Sequence, residues 1–311
     1  MMENDRVSFK FLLTTLLLIC VFSAKAQINI VPKNNGLKEY TVQNAQPYDS
    51  IRNVDRHNVA SMPGQTLYMH GARYDRKGYY EVFFTENFLD GGEHPVYKAD
   101  GKSITPAEEV VGRYYDVKKI WTNAERTKCC MLLREHKSGD EIYYNPYSNP
   151  HGMTCVGFYE KLKRYIGQTF LSLAKEVETE DGRVIKPTEG AQYRCVDIGL
   201  KMNSDGAFLI MEGADGIRVE AFPIDDEVYE FVSTQRIAML VKRYGKKYGE
   251  LIAFRKIDIG MTKEMLIAAW GEPYHKSTST VKDKSTEWWS FSDNRYVELQ
   301  NGKVTNCRKH Y

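Results

Sequence analysis

Cys155 is the residue whose sequence surroundings come closest to those of a reactive group. It lies at the start of a segment, 154–165, that we predict to be a short helix, so its thiol would lie beside free first-turn amides. Such amides stabilise a thiolate, the nucleophile of cysteine-dependent hydrolysis. That chemistry also needs an imidazole base within hydrogen-bond reach. After His151 the next histidine is His275, which belongs to what we interpret as a separate C-terminal domain.

The same stretch carries a resemblance to a peptidase family. Residues 154–159 read Thr-Cys-Val-Gly-Phe-Tyr, which resembles the Asp-Cys-Ser-Gly-aromatic pattern around the nucleophile of NlpC/P60 cell-wall peptidases. The resemblance implies an alternative function, a cysteine peptidase centred on Cys155, but the Asp and Ser of the pattern are missing. The sequence contains no Gly-x-Ser-x-Gly, no His-Glu-x-x-His and no phosphate loop. We therefore predict no catalytic residue and no enzymatic activity.

The remaining cysteines and the histidines do not form a metal or redox pattern. The cysteines that follow the N-terminal apolar segment are Cys129, Cys130, Cys155, Cys195 and Cys307. Their odd number leaves at least one thiol unpaired, and neighbouring residues of a strand point to opposite faces. No Cys-x-x-Cys is present, and the seven histidines lack metal-ligand spacing. We predict buried thiols that pack as small hydrophobes, with no metal site and no cofactor.

Residues 1–26 have the features of a cleavable secretory signal peptide. Arg6 and Lys10 provide the positive start, 11–22 is an apolar run, and 24–26 (Ala-Lys-Ala) gives a small-x-small cleavage site. The apolar run is shorter than the roughly 20 residues that span a bilayer. We predict an exported protein, in the periplasm or outside the cell, with no transmembrane anchor after cleavage.

The sequence also argues against lipidation and against a nucleic-acid partner. The residues before Cys20 have the shape of a lipobox, but Ile19 is not the small residue that normally precedes the lipidated cysteine, so we predict no lipidation at Cys20. The formal net charge of the chain is +2, which gives no strong field for nucleic acid. We predict no nucleic-acid partner.

The middle of the chain contains a diverged repeat. The residues that match at a constant offset are Gly112, Tyr115 and Ile120 in the first copy and Gly190, Tyr193 and Ile198 in the second. Short apolar runs separated by turn residues, such as Ala214-Asp215-Gly216, predict strands in each copy. We place β module 1 at 63–150 and β module 2 at 151–232. A polar N-terminal extension, 27–62, precedes them and is expected to be partly ordered at best.

The length of each copy suits a small closed barrel that resembles the bacterial SH3-like type, because closure hides the edges of a sheet. The resemblance implies modules that bind peptides or glycans or act as spacers. The fold alone does not choose among these roles.

Two helices are predicted in the C-terminal part. The longer one begins near Ser233 or Thr234 and carries apolar residues at helical spacing as far as Ile252. Thr262 can cap the second helix, since its hydroxyl can accept a bond from a free first-turn amide. Gly271 ends that helix, because glycine tolerates a left-handed cap.

Four motifs then occur in order at short spacing. They are Gly260-Met261-Thr262, Gly271-Glu272-Pro273, Trp289-Ser290-Phe291 and Asn301-Gly302-Lys303-Val304. Together they resemble the SmpA/OmlA (BamE-like) family over about residues 256–308. The resemblance implies two helices packed on a three-stranded sheet within an α+β domain, 233–311, and a role in outer-membrane assembly or protein binding. In the last hairpin Leu299 would pair with Val304 and Val297 with Asn306, which suggests a short or bulged ladder.

The strand of that domain with two tryptophans supplies our candidate binding residues. Trp289 and Phe291 point to one side, under the helices, whereas Thr286, Trp288 and Ser290 point to the other. Trp288 on an open face could anchor a protein partner. The alternative is that another domain of the same chain covers it.

The sequence therefore predicts a multidomain protein, β-rich plus α+β. We expect a non-catalytic exported protein that binds another protein or an envelope component. A spacer without a dedicated ligand is a further alternative.

Overall fold

The computed structural model describes residues 36–71, 78–101, 103–147, 152–200, 206–224, 227–281, 284–292 and 294–309. The chain divides into a segment Met1–Leu37 and a compact unit Lys38–Tyr311, and the fold below is that of the second unit. The predicted signal peptide (1–26), Cys20 and His151 lie outside the described residues.

The first part of the compact unit is built around one large antiparallel sheet. The strands of this part are β1 Lys38–Thr41, β2 Thr66–Met69, β3 Tyr79–Tyr80, β4 Phe83–Phe84, β5 Ile104–Thr105, β6 Tyr114–Thr122, β7 Cys129–Glu135, β8 Glu141–Tyr144 and β9 Met153–Cys155. Hydrogen bonds order the sheet as β4-β8-β7-β6-β2-β9, and β1 pairs with the end of β6. β3 and β5 form a separate small ladder.

Part of the predicted polar extension belongs to this sheet. β1 pairs Lys38–Thr41 with the last residues of β6, and a 3-10 turn, Val59–Ser61, packs beneath the sheet. Val59 and Met62 are completely buried. A strand of four residues is too short to show a clear alternation of apolar and polar residues, so β1 was not predicted from the sequence.

A second large sheet follows, introduced by a short helix, α1 Val156–Leu162. Its region contains β10 Thr169–Ser172, β11 Val177–Glu178, β12 Val184–Ile185, β13 Gln192–Leu200, β14 Ala207–Gly213, β15 Arg218–Ala221, β16 Pro223–Ile224, β17 Glu227–Val228 and β18 Phe231–Ser233. The sheet order is β15-β14-β13-β10-β18-β17-β16, while β11 and β12 form a separate hairpin.

The predicted repeat is confirmed by these strands. The residue numbers of β6 and β13 differ by 78 at both ends, and the same holds for β7 with β14 and for β9 with β18. The order β8-β7-β6-β2-β9 in the first sheet corresponds to β15-β14-β13-β10-β18 in the second. Even the register shifts coincide, at Val117/Lys119 and at Cys195/Asp197. Cys195 thus takes the place of Val117 in the core.

The two sheets share a single hydrophobic core instead of each enclosing its own. One cluster of buried residues includes Leu67 and Ile120 from the first sheet and Leu209 and Phe231 from the second. α1 contacts both β2 and β14 and buries Phe158 in this cluster. In the described residues the first and last strands of each large sheet do not pair with each other. The closed SH3-like barrels that we expected are therefore not formed. The apolar faces are covered by the neighbouring sheet and by α1, which removes the need for closure.

The C-terminal part is an α+β arrangement with its own small core. α2 Thr234–Ala253 begins where predicted, with the Ser233 hydroxyl accepting a bond from the Arg236 amide at 3.1 Å. α3 Lys263–Trp270 is capped by Thr262, and Gly271 ends it at a φ of 79°. Both helices pack on a sheet whose strands are β19 His275–Val281, β20 Lys284–Phe291, β21 Arg295–Gln300 and β22 Lys303–Lys309.

α2 bends sharply at Gly245, whose φ of 77° and ψ of 164° are not helical. Glycine is the residue that reaches this region without strain. Beyond the bend, Gly249 lies so close to the first half that a Cβ there would be 2.5 Å from the Val241 backbone. α2 is therefore a helical hairpin, and glycine at both positions permits it.

The sheet of this domain differs from the expected three strands by one addition. β19, which reads His-Lys-Ser-Thr-Ser-Thr-Val, pairs along its whole length with β20. Its polar composition gives no apolar alternation, so the sequence offered no strand signal. The predicted irregularity of the last hairpin is confirmed. A bulge at Thr305 keeps Leu299 opposite Val304 but brings Cys307, not Asn306, opposite Val297.

Among the helices that the structure describes, none has both the length and the apolar character that crossing a bilayer requires.

Candidate functional site

Two adjacent tryptophans of β20 lie on opposite faces of the C-terminal sheet. Trp289 is 3% exposed and packs with Phe291 and Leu266 under the helices. Trp288 is 43% exposed on the other face. The described part of the compact unit therefore leaves Trp288 accessible, which favours the open-face interpretation over cover by another domain.

The three predicted binding residues do not contribute equally to this open face. Thr286 is partly exposed and lies one row from Trp288, opposite Ser279 and Gln300. Ser290 is only 7% exposed, so its place among the surface residues was wrong. Its ladder partners are His275 on β19 and Tyr296 on β21.

A tyrosine that the prediction omitted belongs to the same surface. Tyr296 is 39% exposed and lies opposite Ser290 in the ladder, diagonal to Trp288. Diagonal neighbours in an antiparallel pair are about 7–8 Å apart, within reach of aromatic side chains. We call Trp288, Thr286 and Tyr296 the open aromatic face.

The outward orientation of Tyr296 could have been predicted from the sequence. Val297 belongs to the core, and side chains alternate along a strand, so the residue before it must face outward.

An ionic contact fixes the strand that carries Trp288. The Glu287 carboxylate is 2.5 Å from the Lys263 ammonium at the start of α3 and accepts a 3.2 Å bond from the Trp289 indole. The Lys263 partner holds the pKa of Glu287 below its usual value. Lys276 lies 4.6 Å from the centre of the Trp289 ring. These contacts connect β19, β20 and α3 on the side of the sheet opposite the open aromatic face.

Cys155 is buried, with no exposed surface, at the junction of β9 and α1. The Tyr48 hydroxyl and the amides of Gly157 and Phe158 favour its thiolate, but burial outweighs them and raises the pKa of the thiol. His275, the downstream histidine, is in β19 of the C-terminal sheet. The first-turn amides that the sequence predicted are present, but the exposure that a nucleophile needs is not.

The repeat gives Cys155 a structural position. Its counterpart at the offset of 78 is Ser233, and the two residues occupy the N-cap positions of α1 and α2. Both helices start directly after a three-residue strand, β9 or β18, that pairs with the first strand of its copy. A small residue at this junction is thus a feature of the fold in both copies.

The other thiols are also free. Cys129, Cys130 and Cys195 are buried, whereas Cys307 is exposed on β22. Burial raises the pKa of Cys195 to about 11 and that of Cys130 to about 12. Within the residues that the structure describes, no group of three or more His, Cys, Asp and Glu side chains is placed to hold a metal ion.

Labelling of the folded protein with a maleimide near pH 8 should separate these thiols. We expect Cys307 to react readily and Cys155 to react more than about tenfold more slowly, because only the exposed thiol meets the reagent without local opening. Peptide mass spectrometry would measure both rates, and labelling in urea supplies the control in which the rates converge. Rapid labelling of Cys155 in the folded state would contradict its buried position and favour the peptidase alternative.

Comparisons of the chain with protein-family models, with curated proteins and with solved structures gave no match.

Proposed function

We propose that this chain is a non-catalytic exported protein that binds another protein or an envelope component through the open aromatic face. The observation that carries the proposal is Trp288, a large aromatic that remains 43% exposed on a sheet held from behind by helices. Tryptophan and tyrosine are enriched among the residues that dominate binding energy at protein interfaces. Export rests on the predicted signal peptide.

The likeness to the SmpA/OmlA (BamE-like) domains is part of this proposal. Two features support it. Two helices are followed by an antiparallel meander, as in that family, and the first and last of the four motifs are hydrogen-bonded to each other. The Gly260 amide donates to the Val304 carbonyl, and the Val304 amide donates to the Met261 carbonyl, both at 2.8 Å. The first motif is therefore paired with the last. The strand β19 and the hairpin form of α2 depart from the family pattern.

The cysteine-peptidase alternative receives less support from the same molecule. Cys155 is buried at a helix cap, and its counterpart in the second copy is a serine that caps a helix. A peptidase would require this thiol to be accessible and paired with a base. Turnover of cell-wall peptides that disappears in Cys155→Ser would support that alternative instead.

Affinity capture from envelope fractions with Trp288→Ala tests the proposal. We expect the variant to lose the partner captured by the wild type by about tenfold or more, since truncating a central aromatic anchor typically costs at least about 2 kcal/mol. Tyr80→Ala is the matched control, because Tyr80 is a 62% exposed strand aromatic of the first sheet region. Equal capture by Trp288→Ala and the wild type, or equal loss in both variants, would contradict the proposal.

A further inference from the structure

A loop of the first copy lies on the face of the first sheet that points away from the shared core. It comprises residues 85–95, which we call the His94 loop, and it follows β4 in the chain. Its two ends meet, because the Thr85 amide donates to the Pro95 carbonyl at 3.0 Å. The Phe88 ring packs on that of Phe84 in β4, with 4.7 Å between the ring centres. The loop is therefore closed on itself and packed on the sheet.

Cys130 of β7 lies beneath this loop. It is completely buried, and its neighbour Cys129, whose side chain points to the other face of the strand, belongs to the shared core. The Phe88 amide is close enough to the Cys130 sulfur to favour its thiolate form. The corresponding residue of the second copy is Phe208, which is 5% exposed. The second copy thus fills this position with an aromatic ring, whereas the first copy combines a small thiol with a covering loop.

His94 connects the two arms of the loop. Its side chain is 7% exposed, with Nδ1 3.2 Å from Oε1 of Glu86 and Nε2 2.6 Å from Oδ1 of Asp90. The contact with Asp90 is close but is not aligned as a hydrogen bond. The imidazole is also nearly perpendicular to the Phe84 ring, at 6.4 Å between the ring centres. It is therefore enclosed by two carboxylates and an aromatic ring.

The charge of His94 decides whether both carboxylate contacts are attractive. A neutral imidazole carries a proton on one ring nitrogen and a lone pair on the other, whereas the imidazolium carries a proton on both. In this loop the neutral ring turns a lone pair toward one carboxylate, and the imidazolium attracts both carboxylates. The Gly92 amide and His94 hold the pKa of Asp90 below its usual value, so this partner stays ionised in mild acid.

The strands beneath the loop add no competing charge near neutral pH among the described residues that face it. Their ionisable groups are Cys130 of β7 and Tyr143 of β8, and burial raises the pKa of both. β4 contributes Phe84, which does not titrate, and the further acid of the loop, Glu93, is exposed. The interaction of His94 with its two carboxylates is therefore the one that changes between about pH 5 and 8.

We propose that His94 is a proton-dependent clasp that holds its loop closed over Cys130. In mild acid the imidazolium keeps the two arms of the loop together. As the pH rises through the range in which imidazoles titrate, loss of the proton releases the loop and gives solvent access to the Cys130 thiol. The clasp acts in the first sheet and is independent of the open aromatic face.

Alkylation of Cys130 by N-ethylmaleimide in the full-length protein tests this proposal. Its protection factor is the labelling rate in urea divided by the rate in the folded protein at the same pH, which cancels the change in thiolate fraction. We expect this factor to fall by about tenfold between about pH 5.5 and about pH 8, because two charge contacts weaken together. Tandem mass spectrometry distinguishes Cys130 from Cys129, and the core thiol Cys195 should keep its protection within about twofold.

Matched variants separate the clasp from general opening. His94→Gln is neutral at every pH, so its Cys130 protection should be low and independent of pH. Glu86→Gln should lower the protection at about pH 5.5 by about threefold, since one carboxylate contact is lost, whereas Glu93→Gln makes the same change at an exposed position of the loop and should not alter it. The proposal is overturned by constant protection of Cys130 in the wild type, by an equal fall in His94→Gln, by a parallel fall at Cys195, or by equal effects of the two glutamate substitutions.

Discussion

Trp289→Ala is expected to lower the free energy of unfolding of the C-terminal domain by about 3–5 kcal/mol, the usual cost of truncating a buried large aromatic. Trp289 is 3% exposed and contacts a core that is small, with Met261, Leu266, Val297 and Leu299 among its members. Loss of the ring also removes the cation–π contact with Lys276 and the hydrogen bond that the indole donates to Glu287. A loss of this size is a large share of the stability of any domain.

The neighbouring tryptophan supplies the control. Trp288→Ala makes the same chemical change one residue away, on the opposite face, and we expect it to cost less than about 1 kcal/mol because only cross-strand contacts are lost. Urea unfolding followed by circular dichroism would measure both variants. Equal costs for the two substitutions would show that the assignment of faces in β20 is wrong.

Phe158→Ala is expected to cost about 3–5 kcal/mol and to destabilise both large sheets together. Phe158 is 3% exposed on α1, and α1 contacts β2 of the first sheet and β14 of the second. Because the two copies share one core, the cavity left by the ring would weaken contacts on both sides.

Hydrogen exchange can distinguish a shared core from two independent modules. Protection of amides in β6 and in β13 should fall by a similar factor in Phe158→Ala. Glu160→Ala, an exposed change on the same helix, should leave both unaffected. Loss of protection in one sheet alone would mean that the copies fold separately.

The sequence predicted those parts of the fold that repeat or that carry a local chemical signal. The offset of 78 identified corresponding strands, because the two copies preserve turn glycines and core positions. Ser233, Thr262 and Gly271 marked helix ends, since capping depends on the residue type at one position.

The parts that were missed depend on tertiary pairing. β1 is short, and β19 is polar, so neither shows the alternation from which a strand is inferred. Closure of a barrel was expected for each copy, but the shared core is a property of two copies together. Ser290 lies on the same face as Trp288, as predicted, but it is only 7% exposed, and burial of this kind depends on neighbouring strands that the alternation along one strand does not describe.

Site-specific photocrosslinking in producing cells tests most directly whether the open aromatic face is the working surface. Trp288, Tyr296 and Tyr80 would be replaced in turn by p-benzoylphenylalanine, and adducts would be compared after irradiation. We predict a discrete adduct from positions 288 and 296 and none from position 80. Adducts from position 80 alone, or none from 288 and 296 in a stably produced protein, would contradict the account.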